Sequence, residues 1–338
     1  MLKGTKIFVE KLFNQDKIHG VISLGGAEGA IMAASAMQVL PPGFPKIIVT
    51  PLASGIRPFG PFIGIRDIMV MHSLIDIAGL NEISKTIFNN AASAICGMVK
   101  NYKKIDIKES NIIAITALGT VQKAVNFIFP KLKNLGYEPI IFHASGVGGQ
   151  VMEDMIKRGY ILAVLDLCTN ELTGHIVGPP SLHDGGPERL KAAGEMGIPQ
   201  LVVPGCVDFF VQGAIDTIPE KWKNRKMFYH NPQFTLIRPS HNEMEKIAKD
   251  FCNKLNSAKG PVTVVLPLLG MSIAGIKGGS MYDPKGDQIF FKTLKNGLKD
   301  SILVLEENMH VNEEAFGNVV VSEFYRMLNN FKKLQEEM

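Results

Sequence analysis

The 338-residue sequence holds 46% hydrophobic and 20% charged residues. It can therefore fill one large or two ordinary cores, which excludes a disordered or fibrous chain. A formal charge of +4 demands no anionic partner, and the basic stretches at 100–108 and 221–226 hold too few aromatics for a nucleic-acid stacking face, so both read as solvated surface.

Apolar runs and amphipathic stretches alternate along the chain, which predicts βαβ units, a mainly parallel sheet and helices on both faces. In order, the pattern predicts a helical face over 2–16, a strand at 21–24 and a helix over 28–40 closed by Pro41-Pro42-Gly43. A strand at 46–50 follows, then an irregular Gly/Pro-rich segment at 51–61, a strand near 67–71 and a long helix over 82–102. Charge and lost periodicity around 101–110 mark a boundary between lobes 1–106 and 107–338. The second lobe predicts strands at 111–116, 139–143, 161–165, 200–203, 262–266 and 302–305. Helices are expected over 121–135, 149–158, 187–196, 242–257 and 313–333.

The four cysteines, Cys96, Cys168, Cys206 and Cys252, lie far apart among apolar neighbours. Without metal spacing they read as buried, reduced thiols in a cytoplasmic protein. The first residues lack a signal-type apolar core, and the most apolar stretch, 201–215, is interrupted by Pro204, Asp208 and Gln212, so no membrane span is expected.

In a parallel α/β sheet, ligands collect where strands run into helix N-termini. The strongest such turn is His143-Ala144-Ser145-Gly146-Val147-Gly148-Gly149-Gln150. Its glycines let the backbone approach an anion and its free N–H groups and helix dipole favour a phosphate, although the Gly-Lys-Ser/Thr ending of a P-loop is missing. A tight turn needing glycine only for its geometry is the alternative. A second turn, Gly25-Gly26-Ala27-Glu28-Gly29-Ala30, adds Glu28, which suits the helix dipole or a nucleotide-borne magnesium ion. Thr120 in Leu118-Gly119-Thr120 is expected as an N-cap or phosphate ligand. Ser54, Gly55 and Arg57 offer a hydroxyl and a cation in the irregular loop. Asp166, Thr169, Asn170, Glu171, Asp208, His230-Asn231 and His310 stand at strand ends as acid, base or cap candidates.

These segments, with 40–46, 73–81, 142–153, 166–171, Val207-Asp208, His230-Asn231-Pro232-Gln233, Tyr282-Asp283-Pro284 and His310-Val311-Asn312, resemble a known family over nearly the whole chain. It is the ATP-binding domain family typified by the N-terminus of the tomato inhibitor of tobamovirus replication, with many microbial members. The resemblance implies two Rossmann-like lobes, ATP in a cleft and self-association, here expected as a homodimer. Family members usually carry an earlier strand and a Gly-Thr-x-Asp-Thr-Lys-Gly-like motif, ahead of the helix with which this sequence starts. The family's Gly-Gly-Ser-Gly-Gly-Thr turn stands here as Gly25 to Ala30, with two hydroxyls lost and a carboxylate gained.

The expectation is thus a nucleotide-binding protein. Phosphates lie on Ser145, Gly146, Gly148 and Gly149 beside Gln150, and magnesium accompanies the nucleotide. Gly25, Gly26, Glu28, Ser54 and Gly55 close over base or sugar, and Thr169 lines the cleft. The rivals are an enzyme on a small carboxylate or phosphorylated metabolite, using Glu171, Asp208 or His310 as acid or base, and an oligomeric interaction module without a ligand.

Overall fold

A computed structural model describes residues 1–53, 60–105 and 111–337. Ser54, Gly55 and Arg57 lie outside the described residues. The chain divides into two compact units, Met1–Asp106 and Ile107–Met338.

In the first unit, α1 (Leu2–Asn14), β1 (Val21–Leu24), α2 (Ala27–Met37), β2 (Lys46–Thr50), α3 (Gly60–Ile63), β3 (Met69–His72) and α4 (Glu82–Asn101) follow one another. The strands form a parallel sheet in the order β1-β2-β3. Period-2 alternation explains how central strand β2 serves two helix layers. Ile48 packs with Ala30, Ala34 and Met37 of α2, whereas Ile47 and Val49 meet Ala91 and partly buried Ile87 and Phe88 of α4. Helix α4 starts at a capping box, Asn81 accepting from Ser84 N–H while Ser84 Oγ accepts from Asn81 N–H. Cys96 on α4 is exposed, which corrects the expectation of four buried thiols. The other three are buried.

The second unit begins with β4 (Ile112–Ala117), α5 (Gln122–Asn134), β5 (Glu138–His143), α6 (Val147–Lys157), β6 (Ala163–Asp166), α7 (Asn170–Val177), α8 (Ala192–Met196) and β7 (Gln200–Val202). It continues through β8 (Phe210–Gln212), β9 (Met227–Asn231), β10 (Phe234–Ile237), α9 (His241–Leu255), β11 (Val262–Pro267), α10 (Pro284–Gly297), β12 (Leu303–Glu307) and α11 (Glu314–Glu336). Six strands form a parallel sheet in the order β12-β11-β7-β6-β4-β5. Both faces are covered. Ile113, Ile115, Leu201 and Val265 point into the core made with α5 and α11, while Val202, Val264 and Leu266 join Leu172, Met244, Phe251 and Phe290 of α7, α9 and α10. Consecutive residues of one strand thus feed opposite cores.

Three features depart from the sequence expectation. The helix expected over 187–196 is confined to α8, and α7 and α10 were not foreseen. The strands β8, β9 and β10 form a separate antiparallel sheet, ordered β8-β10-β9. Among the described residues, no helix is long and apolar enough to cross a membrane.

Candidate functional site

The turn between β5 and α6 shows why its glycines are there. Gly146 takes a left-handed φ of 95° at the N-cap of α6. Its N–H and that of Gly149 both donate to Oε1 of Glu171, at 2.7 and 2.9 Å. A β-carbon at Gly149 would overlap the Glu171 carboxylate, and one at Gly148 would overlap the carbonyl oxygen of His143. An internal carboxylate therefore occupies the place sequence reasoning gave to a phosphate. Gly146, Gly148 and Gly149 accommodate the protein's own groups.

Glu171 itself is fully buried and is held from behind. Arg189, also fully buried, donates from Nε to Glu171 at 2.7 Å and from Nη1 to Glu153 at 3.1 Å, while Nη2 bonds Asp166. Glu153 also accepts from the N–H groups of Leu190 and Ala192, and Asp166 from Gln200. Burial opposes the charge on Arg189, but Asp166, Glu171 and Glu153 outweigh it and hold its pKa well above the ordinary guanidinium value. Burial pushes the Glu153 carboxyl up, partly offset by Arg189. This network fastens the β5–α6 turn to β6 and α7. Both Glu171 and Arg189 are fully buried within it.

The other two expected acid–base residues also have partners, although Oδ1 of Asp208 bonds nothing among the described residues. Asp208 is buried. Its Oδ2 accepts from Ser272 Oγ at 2.7 Å and lies 3.9 Å from Nη1 of Arg238. Burial raises its carboxyl pKa, with Arg238 and Ser272 opposing. His310 accepts at Nδ1 from Asn312 N–H and donates from Nε2 to Ser272 O, both at 3.1 Å. Thr169 is fully buried and bonds Gly205 O instead of lining a cleft, and it makes no side-chain cap. Thr120 does not cap α5. That task falls to Asn312, whose Oδ1 accepts from Ala124 N–H at 3.2 Å.

An open cavity of about 320 Å³ lies at the carboxyl ends of β4 and β5. It sits beside the point where the crossovers leave β4 and β6 in opposite directions, the place where ligands enter sheets of this kind. Leu118, Gly119 and Thr120 follow β4, and His143 and Ser145 follow β5. Phe209, Val211, Phe234 and Leu236 of the small antiparallel sheet and its lead-in supply an apolar wall, and His230 and Asn231 stand on the same sheet. His183, from the loop after α7, completes the lining. Burial, and then the proximity of His143, lower the His183 pKa to about 4, so the ring is neutral at pH 7. Among the described residues, no lysine or arginine lines the cavity.

Of the expected nucleotide ligands among the described residues, the cavity gathers Thr120 and Ser145. Gln150 is half-buried on α6. Gly25, Gly26 and Glu28 belong to the first unit, where Gly26 is the N-cap of α2 without a side-chain partner and Glu28 is exposed. Sequence reasoning missed His183, Phe209 and Phe234. The available signal for His183 was its loop, Gly178-Pro179-Pro180-Ser181-Leu182-His183-Asp184-Gly185-Gly186, whose Gly/Pro density marks an irregular segment after a strand–helix unit. Among the described residues, no group of three or more His, Cys, Asp or Glu side chains is arranged to hold a metal ion.

Comparison with known proteins places the chain. A UPF0261 protein of Clostridium tetani (strain Massachusetts / E88) is 40% identical over 330 residues, covering 97% of this chain and 80% of that protein. The ToMV resistance protein Tm-1(GCR237) of Solanum lycopersicum is 34% identical over 333 residues, 96% of this chain but 43% of its own length. UPF0261 protein RA0729 of Rhizobium meliloti (strain 1021) is 32% identical over 326 residues, 95% of this chain and 80% of that protein. Among solved structures, a monoacylglycerol lipase of Paleococcus ferrophilus overlaps 63% of this chain and 93% of its own at 14% identity and a TM-score of 0.21, a likeness that carries no argument. Residues 1–104 match the N-terminal domain and residues 110–328 the C-terminal domain of the Uncharacterised protein family (UPF0261), and the chain belongs to that family.

Proposed function

We propose that the protein binds a small organic molecule in the cavity of its second unit, and that a nucleotide such as ATP would enter with its nucleoside part and not its phosphates. The observation that carries this reading is the lining itself: an apolar wall with Phe209 and Phe234, a few converging polar groups and, among the described residues, no cation. Base and sugar match such a wall, whereas a triphosphate needs lysine, arginine or free amides. Two of the four residues expected to serve, Gly146 and Gly149, have their amides bonded to Glu171. Magnesium would come with the phosphates.

The test is the melting temperature with adenosine, ATP, Mg·ATP, GTP, NAD and inorganic phosphate in turn. Ligand at about a hundred times its Kd adds roughly 2.7 kcal/mol, an easily read shift. Equal stabilisation by adenosine and ATP, on a per-site basis, supports nucleoside entry. A shift with Mg·ATP but none with adenosine overturns it. A second reading, proton transfer on a bound metabolite, is favoured by one observation, the neighbouring His183 and His143 on the cavity. Turnover lost in His183→Gln, with binding retained, would establish it.

A further inference from the structure

Asn170, the first residue of α7, is completely buried. Its Nδ2 donates to two backbone carbonyls, that of Cys206 at 2.8 Å and that of Phe209 at 2.5 Å. Both amide hydrogens are thereby used, and flipping the amide would set its oxygen against two carbonyl oxygens. Oδ1 has one orientation left, facing Nδ1 of His183 at 3.2 Å. An amide oxygen only accepts, so Nδ1 carries the proton and Nε2 keeps its lone pair. Among the described residues Nε2 bonds no protein group, while the ring lines the cavity.

The surroundings favour this state. His143, from the turn after β5, opposes a second positive charge. Asp184, next in the chain, is engaged elsewhere: its Oδ1 accepts from Gly186 N–H at 2.7 Å and faces Nδ1 of His175 at 2.9 Å. The Cys206 thiol, beside the carbonyl that Asn170 bonds, is pushed well above its ordinary pKa by burial and is uncharged. Among the described residues no carboxylate contacts Nδ1, and the group in its place is an amide.

We propose that Asn170 is a positioning residue that holds His183 in the Nδ1–H form, and that the cavity therefore selects a ligand presenting a hydroxyl, amino or amide N–H donor to Nε2. A carboxylate at that point would face a lone pair and leave two acceptors unpaired. The ligand half rests on the cavity reading above; the tautomer is a property of the free protein.

Nitrogen-15 NMR of histidine-labelled full chain tests both halves. In the wild type, His183 should show a protonated Nδ1 and a bare Nε2, without titrating between about pH 5 and 8. Asn170→Asp sets a carboxylate against Nδ1 and should raise the His183 pKa by about 1–3 units. An Nε2–H tautomer or a titration near the ordinary histidine value in wild type overturns the positioning role, and this spectrum decides even if Asn170→Asp fails to fold. A folded Asn170→Asp protein with unchanged His183 titration overturns it as well. Phenol, anisole and benzoate then serve as matched probes, and phenol alone should shift the Nε2 resonance. Equal effects of all three overturn donor selection. No effect from any of them, with His183 in the Nδ1–H form, overturns both the cavity reading and donor selection while leaving the role of Asn170 standing.

Discussion

The two glycine-rich strand–helix turns, Gly25 to Ala30 in the first unit and Ser145 to Gly149 in the second, read alike in sequence and differ in what fills them. In the second, Glu171 takes two amides from 22 and 25 residues away, and backbone or carboxylate atoms lie where β-carbons would go. In the first, Gly26 caps α2 without a side-chain partner, and β-carbons at Gly26 and Gly29 would meet nothing within 4 Å, although one at Gly25 would press on the backbone of Gly29 and Ala30. Glycine at a helix start thus has two meanings. It can leave room for an outside group or let an inside one come close, and only long-range partners tell these apart.

Substitution of the two acidic residues should separate the turns most widely. Glu171→Ala strands the Gly146 and Gly149 amides and Nε of Arg189, and should cost about 3–5 kcal/mol in chemical denaturation. Glu28→Ala removes an exposed helix-start carboxylate and should cost less than about 1 kcal/mol. Similar losses for the two would break the comparison. Next in size, Gly148→Ala drives a methyl into the His143 carbonyl and should cost about 3 kcal/mol or more. Gly29→Ala has open space inside a helix and should instead stabilise by about 0.5–1 kcal/mol.

The third effect concerns the cavity that the second turn helps to build. Burial, and then His143, lower the His183 pKa to about 4, from an ordinary value of 6.5. Below pH 6.5 the unfolded chain takes up this proton and the folded protein does not until about pH 4. Stability at this group therefore falls as pH drops through that window, by about 3 kcal/mol in all. His183→Gln should flatten that part of the stability–pH curve, measured by urea melts at several pH values. An unchanged slope would show that the ring is not held neutral.

Much of the fold was legible. Alternating apolar runs such as Ile112 to Ala117 and Val262 to Leu266 announce parallel strands covered on both faces, because each strand must feed two cores. Helix α10 escaped notice although Asp283-Pro284 is a good start signal, its Asp283 side chain accepting from Gly286 N–H. Strands β8, β9 and β10, of three to five residues, were too short for periodicity to show.

The site was less legible. Sequence alone determined family membership, the α/β class, and that glycine turns and polar residues would gather at strand ends, since these follow from local pattern and chain order. Only the tertiary structure decided that Glu171 accepts from the Gly146 and Gly149 amides, that Asp208 and His310 both meet Ser272, and that His183, Phe209 and Phe234 meet around one cavity. The reason is physical. A carboxylate's role depends on whether water, a ligand or a buried guanidinium faces it, and the group facing Glu171 is Arg189, eighteen residues on and brought there by the fold.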